Sequence, residues 1–470
     1  MTMNASDATL PSVLSQKLER PPTAHSSSTS APALLRVIII GAGIGGLALA
    51  QLLHRVPNIS ITVYEKRARD SPDNLTGFRV MLSSFVARNL KASLPVPVAQ
   101  AFHDSIGAQP LQGQEMKFVQ GNGRELCKWR PDEVKDQFSV SRSLLRQALL
   151  EDLDGVVHFG TGFRKFTKCV DGRVMVYFEN GVEDWCDLLV GADGFGSRVR
   201  RQFVPGSMVI NTGVVVIYFK IPLTLETLSL MGSTSGTMAF CSHNQNIILH
   251  SWQNPNKIFA TNYTKDDIEP TESFIMFGYG SPVSRFVNRR CAPQNLTKQE
   301  LKNEVVARSR AEKKMHHTFL ALVEKCLVET AFVHVVKKCE AIRPWNDNQV
   351  TLIGDAVFKY VVMATTLGKG ANYALLDAIS LTENLTLPRL YTSPSPFYSL
   401  YSQALSALDT RQSFSAQLVK FSKESVARRL EERSRSEFLQ TVFYFGEGKL
   451  ATFCRDTGIE LALKWIERER

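Results

Sequence analysis

The pattern of apolar and polar positions is most informative near the start of the chain. The stretch Val37 to Ala50, VIIIGAGIGGLALA, begins as an apolar, β-branched run that is typical of a strand buried on both faces, and it continues into a helix-forming segment. Between the two lie Gly41, Gly43 and Gly46 at GxGxxG spacing. Strand, turn and helix in that order predict a dinucleotide site. Gly41 permits the turn, Gly43 lets the backbone approach a pyrophosphate, and Gly46 lets the helix pack closely on its strand.

A second strand that ends in an acid strengthens this prediction. Residues Asn58 to Glu65, NISITVYE, follow the helix, and Glu65 lies close to the distance past Gly41 at which the fingerprint expects an acid. We expect Glu65 to accept hydrogen bonds from an adenosine ribose. The alternative is a glycine-rich packing junction with Glu65 exposed at a strand end. The apolar run does not predict a membrane span, because it carries four glycines and ends at His54 and Arg55.

Two later stretches repeat the pattern of a strand followed by a glycine loop. Residues 187–203, DLLVGADGFGSRVRRQF, predict a buried strand with Asp193 and Gly194 at its carboxyl end. Residues 348–355, NQVTLIGD, predict another strand that ends in an acid, and LGKGANYALLDAISL at 367–381 opens a helix with a further glycine loop. Ligands of parallel sheets bind outside the carboxyl ends of the strands. Asp193 is alternatively a turn former and helix cap.

The segment Val140 to Leu153 predicts a helix with Ser141 as its cap and apolar residues at helical spacing. Arg142 lies in the first turn, where a cation is unfavourable next to the helix dipole. Arg142 therefore either meets an anionic ligand or is an ordinary surface arginine.

Other segments predict simpler elements. Residues 74–90 begin with a glycine-bearing loop and become helical, and residues 112–129 predict a hairpin that turns at Gly121-Asn122-Gly123. Residues 156–190 alternate between apolar and polar positions and predict a β meander.

Residues 206–345 lack alternating strand and helix units. Strand-like runs at 213–220, 246–252 and 273–279 precede a charged helix at about 297–326, and a further strand follows at 331–337. This pattern predicts an antiparallel sheet with a helix against it, in a separate domain that covers the substrate. Two adjacent histidines on that helix do not predict a metal site, because neighbouring residues do not share a helix face.

Composition indicates a globular protein of two or three domains over 470 residues. The net charge of +10 comes from 55 basic and 45 acidic residues, and the basic ones are scattered apart from small clusters such as Arg428 with Arg429. We interpret this as a mild preference for anionic ligands. Nucleic-acid binding is not expected, because no basic stripe is interleaved with aromatic residues.

The eight cysteines form no CxxC pair and no metal spacing, which favours a reducing, cytoplasmic location. The first 33 residues are rich in Ser, Thr, Pro and Ala and lack the apolar core of a signal peptide. They predict a disordered tail, with a mitochondrial presequence as the lesser alternative. No segment is expected to span a membrane.

Three strand-end loops carry glycine, at Gly41, Gly194 and Gly354. Together they indicate a protein family more specifically than any one of them does alone. Over roughly Leu34 to Leu385, the sequence resembles the FAD-dependent aromatic hydroxylases, the single-component flavoprotein monooxygenases of the p-hydroxybenzoate hydroxylase type, and in particular their fungal biosynthetic branch. The resemblance implies bound FAD and NADPH as co-substrate. The cofactor-binding residues that it implies are Gly41, Gly43, Gly46, Glu65, Gly77, Arg142, Asp193, Gly194, Gly354, Asp355, Gly368, Gly370, Ala371 and Asn372.

The resemblance also implies what each loop does. The first loop with Glu65 holds the ADP half of FAD, Asp193 is linked to both FAD and NADPH, and Asp355 binds the ribitol. The helix that opens at Gly370 to Asn372 lies beneath the pyrimidine edge of the flavin, where its dipole and free N–H groups stabilise the negative charge of the reduced ring.

The implied fold class is α/β, a discontinuous Rossmann-like FAD-binding domain with an α+β substrate domain and C-terminal helices. The predicted boundaries are a tail at 1–33, an FAD-binding domain at 34–111, 138–205 and 340–385, a substrate domain at 112–137 and 206–339, and a helical region at 386–470.

The implied activity is an oxygenation that uses NADPH and O2 to hydroxylate or epoxidise a small, hydrophobic aromatic or olefinic metabolite in secondary-metabolite biosynthesis. We expect a monomer or homodimer with no metal. Tyr218 is a candidate for touching the substrate, with core packing as the other role. The alternatives are a reductase or dehydrogenase on the same fold, or a non-catalytic descendant.

One departure from the family lies between Asp355 and the last glycine loop. Phe358 stands where most members have His, Thr365 stands near the usual Pro, and the loop is about three residues longer. The discrepancy is confined to Phe358 to Val361. It predicts either a divergent loop or a misassigned splice junction, and sequencing the transcript would decide between them.

Overall fold

The computed structural model of the protein describes residues 34–71, 79–109, 115–129, 137–232, 235–340, 342–357, 369–390, 414–430, 456–459 and 461. The strands are β1 (Leu35–Ile40), β2 (Ile59–Tyr64), β3 (Arg79–Ser83), β4 (Met116–Gln120), β5 (Glu125–Trp129), β6 (Gln137–Ser141), β7 (Val157–His158), β8 (Phe163–Lys168), β9 (Val174–Phe178), β10 (Glu183–Cys186), β11 (Leu188–Gly191), β12 (Val209–Pro222), β13 (Gly236–Phe240), β14 (Asn246–Trp252), β15 (Phe274–Pro282), β16 (Phe332–Cys339) and β17 (Val350–Leu352). The main helices are α1 (Ile44–Leu53), α2 (Ser84–Ser93), α3 (Val96–Asp104), α4 (Arg142–Ala148), α5 (Arg198–Phe203), α6 (Leu225–Met231), α7 (Lys298–Ala311), α8 (His317–Glu324), α9 (Lys369–Leu390) and α10 (414–430).

The apolar strand runs form a parallel sheet in the order β17-β11-β1-β2-β7. Its central strands β1 and β11 are buried almost throughout, as their β-branched runs predict. Because the strands are parallel, the carboxyl ends of β17, β11, β1 and β2 lie at one edge, and the three glycine loops and Glu65 leave the sheet there.

The remaining strands form antiparallel structures. The strands β8, β9 and β10 make the predicted meander, with Val174, Val176 and Phe178 buried on one face. A seven-stranded sheet has the order β16-β12-β15-β14-β13-β4-β5, and all its neighbours are antiparallel except β13 with β4. The predicted hairpin, β4 with β5, belongs to this sheet. The predicted fold class is confirmed.

Alternation along β12 gives the large sheet two different faces. Ile217 and Phe219 point to one face, where they pack in a cluster with Leu301 of α7 and Leu322 of α8. Tyr218 points to the other face, which packs towards the parallel sheet through Leu144 of α4. Helices α7 and α8 therefore cover the face that bears Ile217 and Phe219.

The end of strand β14 is hydrogen-bonded to the segment that follows α3. Trp252 Nε1 donates to the carbonyl of Ser105 at 3.3 Å, and Ala108 N donates to the carbonyl of Gln253 at 2.7 Å. Strands β3 and β6 pair with each other and lie at this junction.

Three predicted elements differ from the structure. The single helix at 297–326 is wrong: α7 ends at Ala311 and α8 begins at His317. The break is held by the Glu312 carboxylate, which accepts from Ser242 Oγ at 2.9 Å, and by His316 N, which donates to the carbonyl of Gly121 at 2.8 Å. Tertiary contacts of this kind override helix propensity.

The other two differences are local. Residues 79–83 form β3 before α2 begins, because they pair with β6. The helix after Ser141 ends at Ala148, and the Ser141 hydroxyl lies 3.2 Å from Ser143 Oγ instead of capping the backbone.

Candidate functional site

The first glycine loop joins β1 to α1. Gly41 has φ +108°, and a Cβ there would lie 2.6 Å from the carbonyl oxygen of Ala192. A Cβ at Gly46 would lie 2.0 Å from the carbonyl oxygen of Gly41. At Gly43, which caps the N-terminus of α1, no atom of the described residues lies within 4 Å of the Cβ position. The first and third glycines are therefore required by packing, whereas the second faces open space at a helix N-terminus.

Glu65 lies directly beside this loop at the end of β2. Its Oε2 accepts a hydrogen bond from the Ala42 amide at 2.9 Å, and its Oε1 accepts from the Arg67 amide at 3.0 Å. Each carboxylate oxygen keeps a further lone pair for a hydroxyl donor. The acid thus holds the loop and remains able to accept from a ligand.

Asp193 follows β11, with Gly194 after it at φ +76°. Asp193 Oδ2 accepts from the Arg198 amide, the first of α5, at 2.7 Å, while Ser197 is the N-cap residue of that helix. The other oxygen, Oδ1, is buried and has no hydrogen-bond partner among the described residues. Burial raises the pKa of this carboxyl. An unpaired buried acceptor is costly, so Oδ1 is suited to a ligand hydroxyl.

Gly354 and Asp355 follow β17, and Gly354 has φ +62°. The fully buried Arg200 connects this loop to the loop after β11. Its Nη1 donates to the carbonyl of Ala356 at 3.0 Å, and its Nη2 donates to the carbonyl of Phe195 at 2.7 Å. Sequence reasoning missed Arg200, because nothing in the pattern distinguishes it from the neighbouring arginines.

A second buried arginine reaches the same loop from α10. Arg429 donates through Nη2 to the carbonyl of Gly354 at 2.9 Å, and Asp377 of α9 accepts from the Gly354 amide at 2.8 Å. Arg428 also donates to Asp377, at 2.9 Å. Both members of the Arg428 and Arg429 cluster therefore bind an internal carboxylate.

The first turn of α9 carries Gly370, Ala371 and Asn372, which are half-buried. Asn372 Oδ1 accepts from the Ser83 amide at 2.8 Å, and its Nδ2 donates to the carbonyl of Met81 at 2.7 Å. The side chain of Asn372 therefore fixes the start of the helix on β3.

Two residues further along α9, Ala374 brings two of the glycine loops together. A Cβ at either Gly45 or Gly354 would lie 3.2 Å from Ala374 Cβ. Since Gly41 already packs on Ala192, all three loops converge around the N-termini of α1 and α9.

Arg142 is the first residue of α4 and is half-buried. The arginine one turn later, Arg146, has a direct contact with the first loop: its Nε donates to the carbonyl of Ala42 at 3.2 Å. Arg142 and Arg146 are four residues apart and share one face of α4. The sequence pattern therefore predicts the face that meets the loop, but not which of the two arginines binds it.

The family described as FAD binding domain matches residues 35–390, which is most of the chain. The chain belongs to the FAD binding domain family. It is 26% identical over 411 residues to the dual O-methyltransferase/FAD-dependent monooxygenase elcB of Phaeosphaeria nodorum, which covers 81% of this chain and 42% of that protein. It is 25% identical over 362 residues to the FAD-dependent monooxygenase dpchE of Colletotrichum higginsianum, covering 75% of this chain and 71% of that protein.

The chain spans about two fifths of the length of the first curated relatives that it matches. Solved structures share its fold. HpxO of Klebsiella pneumoniae, complexed with FAD and uric acid, has a TM-score of 0.65 at 16% identity and covers 93% of this chain and 95% of its own. The 2,6-dihydroxypyridine-3-hydroxylase of Arthrobacter nicotinovorans has a TM-score of 0.64 at 17% identity and covers 89% of this chain and 95% of its own.

The residues at this edge of the sheet fit FAD. The open Cβ position at Gly43, beside the free N–H groups of α1, leaves room for a pyrophosphate, and the unpaired Oδ1 of Asp193 can accept from a hydroxyl. No described residue closes either position.

Some of the predicted site residues are not among those that the structure brings together around the glycine loops. Gly77, Gly368 and the segment Phe358 to Val361, as well as Thr365, lie outside the described residues. Tyr218 is buried on the sheet face that packs towards the parallel sheet, and its ring stacks on Phe332 with centroids 5.2 Å apart. Its contact with substrate stays a prediction.

Within the described ranges, no group of three or more His, Cys, Asp or Glu side chains is arranged to hold a metal ion. The two adjacent histidines do not share one helix as predicted, since His316 precedes α8 and His317 begins it. None of the described helices combines the length and apolar character that crossing a membrane requires.

Proposed function

We propose that this protein is an FAD-dependent monooxygenase that uses NADPH and O2 to hydroxylate or epoxidise a small aromatic or olefinic metabolite in fungal secondary metabolism. The convergence of three glycine loops at one edge of the parallel sheet carries the proposal, because together they suit the whole length of FAD. The names of the matching fungal relatives support the reaction class.

The residues divide the binding of FAD between them. The N-terminus of α1 at Gly43 would hold the pyrophosphate, Glu65 the adenosine ribose and Asp355 the ribitol. Gly370 to Asn372 would hold the pyrimidine edge of the flavin, where the N–H groups and dipole of α9 favour negative charge. When bound, FAD supplies the transfer of electrons from NADPH and the activation of oxygen.

The protein side chains mainly position the substrate and exclude water. The face of the large sheet that bears Tyr218 and Met276 is buried and carries an apolar cluster, beside the polar side chains of Lys220 and His250, and the apolar part suits a hydrophobic metabolite. Asp193 and Gly194 would meet the nicotinamide cofactor, so NADPH would need no separate domain.

The decisive experiment measures NADPH oxidation and the source of the oxygen in the product. We expect a yellow protein that oxidises NADPH faster when substrate is present, and a product that gains one oxygen-18 atom from labelled O2. Turnover without label would identify a reductase or dehydrogenase instead. Colourless protein that does not take up FAD would overturn the proposal.

Asp355→Ala tests the assignment of the ribitol. We expect lower FAD occupancy in the purified variant, measured from flavin absorbance against protein concentration. Unchanged occupancy would show that Asp355 does not hold the cofactor.

A further inference from the structure

Helix α2 carries a large aromatic side chain on its outer side. The inner side of the helix consists of Val86, Ala87 and Leu90, which are buried in the core beneath it. Phe85 lies outside this apolar stripe and is 66% exposed. Because the stripe already fills the inward positions at helical spacing, packing of the core does not require an aromatic residue at position 85.

A second exposed apolar side chain follows at the other end of α2. The helix ends at Ser93, Leu94 is buried, and Val96, the first residue of α3, is 83% exposed. Pro97 beside it is exposed as well. Since α2 has ten residues and is therefore about 15 Å long, Phe85 and Val96 mark the two ends of one continuous outer surface.

The surface between these two residues is basic. Arg88 and Lys91 lie on α2 between Phe85 and Val96, and both are exposed. Neither β3 nor α2 contains an acid, and the only acid of α3 is its last residue, Asp104. The apolar side chains are thus flanked by cations of their own helix, in a chain whose net charge is +10.

This combination favours a lipid bilayer over a protein as the partner. In helices that lie in the membrane interface, aromatic and aliphatic side chains enter the boundary of headgroups and acyl chains, while Lys and Arg contact anionic headgroups. The centres of protein interfaces are instead depleted of lysine and of charge in general. A basic helix with exposed Phe and Val at its ends therefore matches an anionic membrane surface.

A contrasting residue shows that exposure alone does not indicate a bilayer. Leu225, the first residue of α6, is 73% exposed, but it is followed by the acid Glu226. The Glu226 carboxylate accepts from Lys325 Nζ at 2.8 Å. Single exposed apolar residues in mixed-charge surroundings are normal on protein surfaces. Leu225 is therefore a suitable control for Phe85.

The outer surface of α2 also borders the proposed flavin end. Helix α2 begins directly after Ser83, whose amide donates to Asn372 Oδ1 in the first turn of α9 at 2.8 Å. A bilayer that contacts Phe85 would therefore lie near the start of α9. Hydrophobic metabolites concentrate in lipid, so docking at this place would bring them close to the proposed site.

We propose that Phe85, Arg88, Lys91 and Val96 form a docking surface for an anionic lipid bilayer. Phe85 and Val96 enter the interface, and Arg88 and Lys91 contact the headgroups, so the protein lies on the bilayer without crossing it. The inference goes beyond the proposed function and does not depend on it, because binding to lipid requires neither substrate nor turnover.

Co-sedimentation of the purified protein with lipid vesicles tests the surface. One set of vesicles is phosphatidylcholine alone, and the other contains about one third phosphatidylserine. We expect binding to the anionic vesicles to be at least about tenfold tighter than to the neutral ones, and to weaken in high salt because exposed charges are screened. A wild-type protein that does not bind the anionic vesicles would overturn the proposal and point to a protein partner.

Substitutions locate the binding on the molecule, and all of them change exposed side chains. Phe85→Ser should weaken binding to the anionic vesicles about tenfold or more, because it removes the largest apolar group of the surface. Arg88→Gln combined with Lys91→Gln should weaken it by about the same factor. Leu225→Ser should bind like the wild type. Wild-type affinity of Phe85→Ser, or equal losses in Phe85→Ser and Leu225→Ser, would overturn the surface.

A tryptophan at position 85 reports direct contact with the lipid. Phe85→Trp should bind the vesicles like the wild type, and bromine atoms on the acyl chains should quench its fluorescence more than that of the wild type. Leu225→Trp should show no additional quenching. Absence of additional quenching in vesicle-bound Phe85→Trp would show that this part of α2 does not enter the bilayer and would overturn the proposal.

Discussion

Asp377 and Arg429 form an ion pair of 2.6 Å that holds both polar groups of Gly354. The Gly354 amide donates to Asp377 Oδ2, and its carbonyl accepts from Arg429 Nη2. The two side chains come from α9 and α10 and are 0% and 4% exposed. Because Gly354 has a positive φ and precedes Asp355, the pair fixes the turn that presents Asp355 to the proposed FAD site.

Arg429→Met should lower both stability and FAD affinity. The substitution leaves the buried carboxylate of Asp377 without its main partner, and loss of one member of a buried pair costs about 3 kcal/mol. It also releases the Gly354 carbonyl, so we expect the dissociation constant of FAD to rise about tenfold. Urea unfolding of the apoprotein measures the first effect, and quenching of flavin fluorescence measures the second.

Arg428→Met is the matched control, because Arg428 binds the same carboxylate but its side chain is 26% exposed. Its loss leaves the pair of Asp377 with Arg429 intact and should cost less than about 1 kcal/mol. Equal effects of the two substitutions would show that burial of the pair with Arg429 does not fix the Gly354 turn.

Gly43→Ala and Gly46→Ala should separate cofactor binding from folding within one loop. An added Cβ at Gly43 meets no described atom within 4 Å, and the φ of −81° is normal for alanine. We expect unchanged stability of the apoprotein and at least about tenfold weaker FAD binding, because the methyl group occupies the place of the pyrophosphate. Thermal unfolding without FAD and flavin titration measure the two effects.

At Gly46 the same substitution should act on folding first. Its Cβ would lie 2.0 Å from the Gly41 carbonyl, which is backbone and must shift. We expect a loss of several kcal/mol or insoluble protein. Normal FAD binding by Gly43→Ala would contradict the placement of the pyrophosphate, whatever the result at Gly46.

The elements that local pattern controls were predictable from the sequence. The β-branched run before Gly41 and the apolar run before Asp193 give adjacent parallel strands, and alternation at Val174 and Val176 gives the meander. The break between α7 and α8 was not predictable, because contacts with distant parts of the chain hold it: Glu312 accepts from Ser242, and His316 N donates to the carbonyl of Gly121.

The candidate site likewise has a part that local sequence pattern predicts and a part that depends on distant contacts. GxGxxG and the acid Glu65 follow from spacing, since both lie within one unit of strand, helix and strand. The partners of Gly354 do not, because Arg200 and Arg429 approach from distant segments and look like surface arginines in sequence. Asn372 is a mixed case: its position in the loop is predictable, but its side-chain bonds to β3 are not.

Lys220 should make stability depend on pH above neutrality. It lies in β12, is 5% exposed and has its Nζ 4.8 Å from the Phe274 ring, and burial lowers its pKa to about 8. An unfolded lysine has a pKa of about 10.4. The folded protein therefore loses this proton first, so the free energy of unfolding should rise from about pH 8 to pH 10, and the penalty of the buried charge is fully present below pH 8.

Lys220→Met should remove that penalty. We expect its free energy of unfolding at pH 7 to exceed that of the wild type by about 1 to 3 kcal/mol, with the difference shrinking towards pH 10. Lys337→Met in the neighbouring strand β16 is the control, because Lys337 is exposed and should leave both the stability and its pH dependence unchanged. Urea unfolding at each pH unit from 7 to 10 measures all three proteins. A Lys220→Met variant with the same pH slope as the wild type would show that the Lys220 ammonium is solvated in the folded protein.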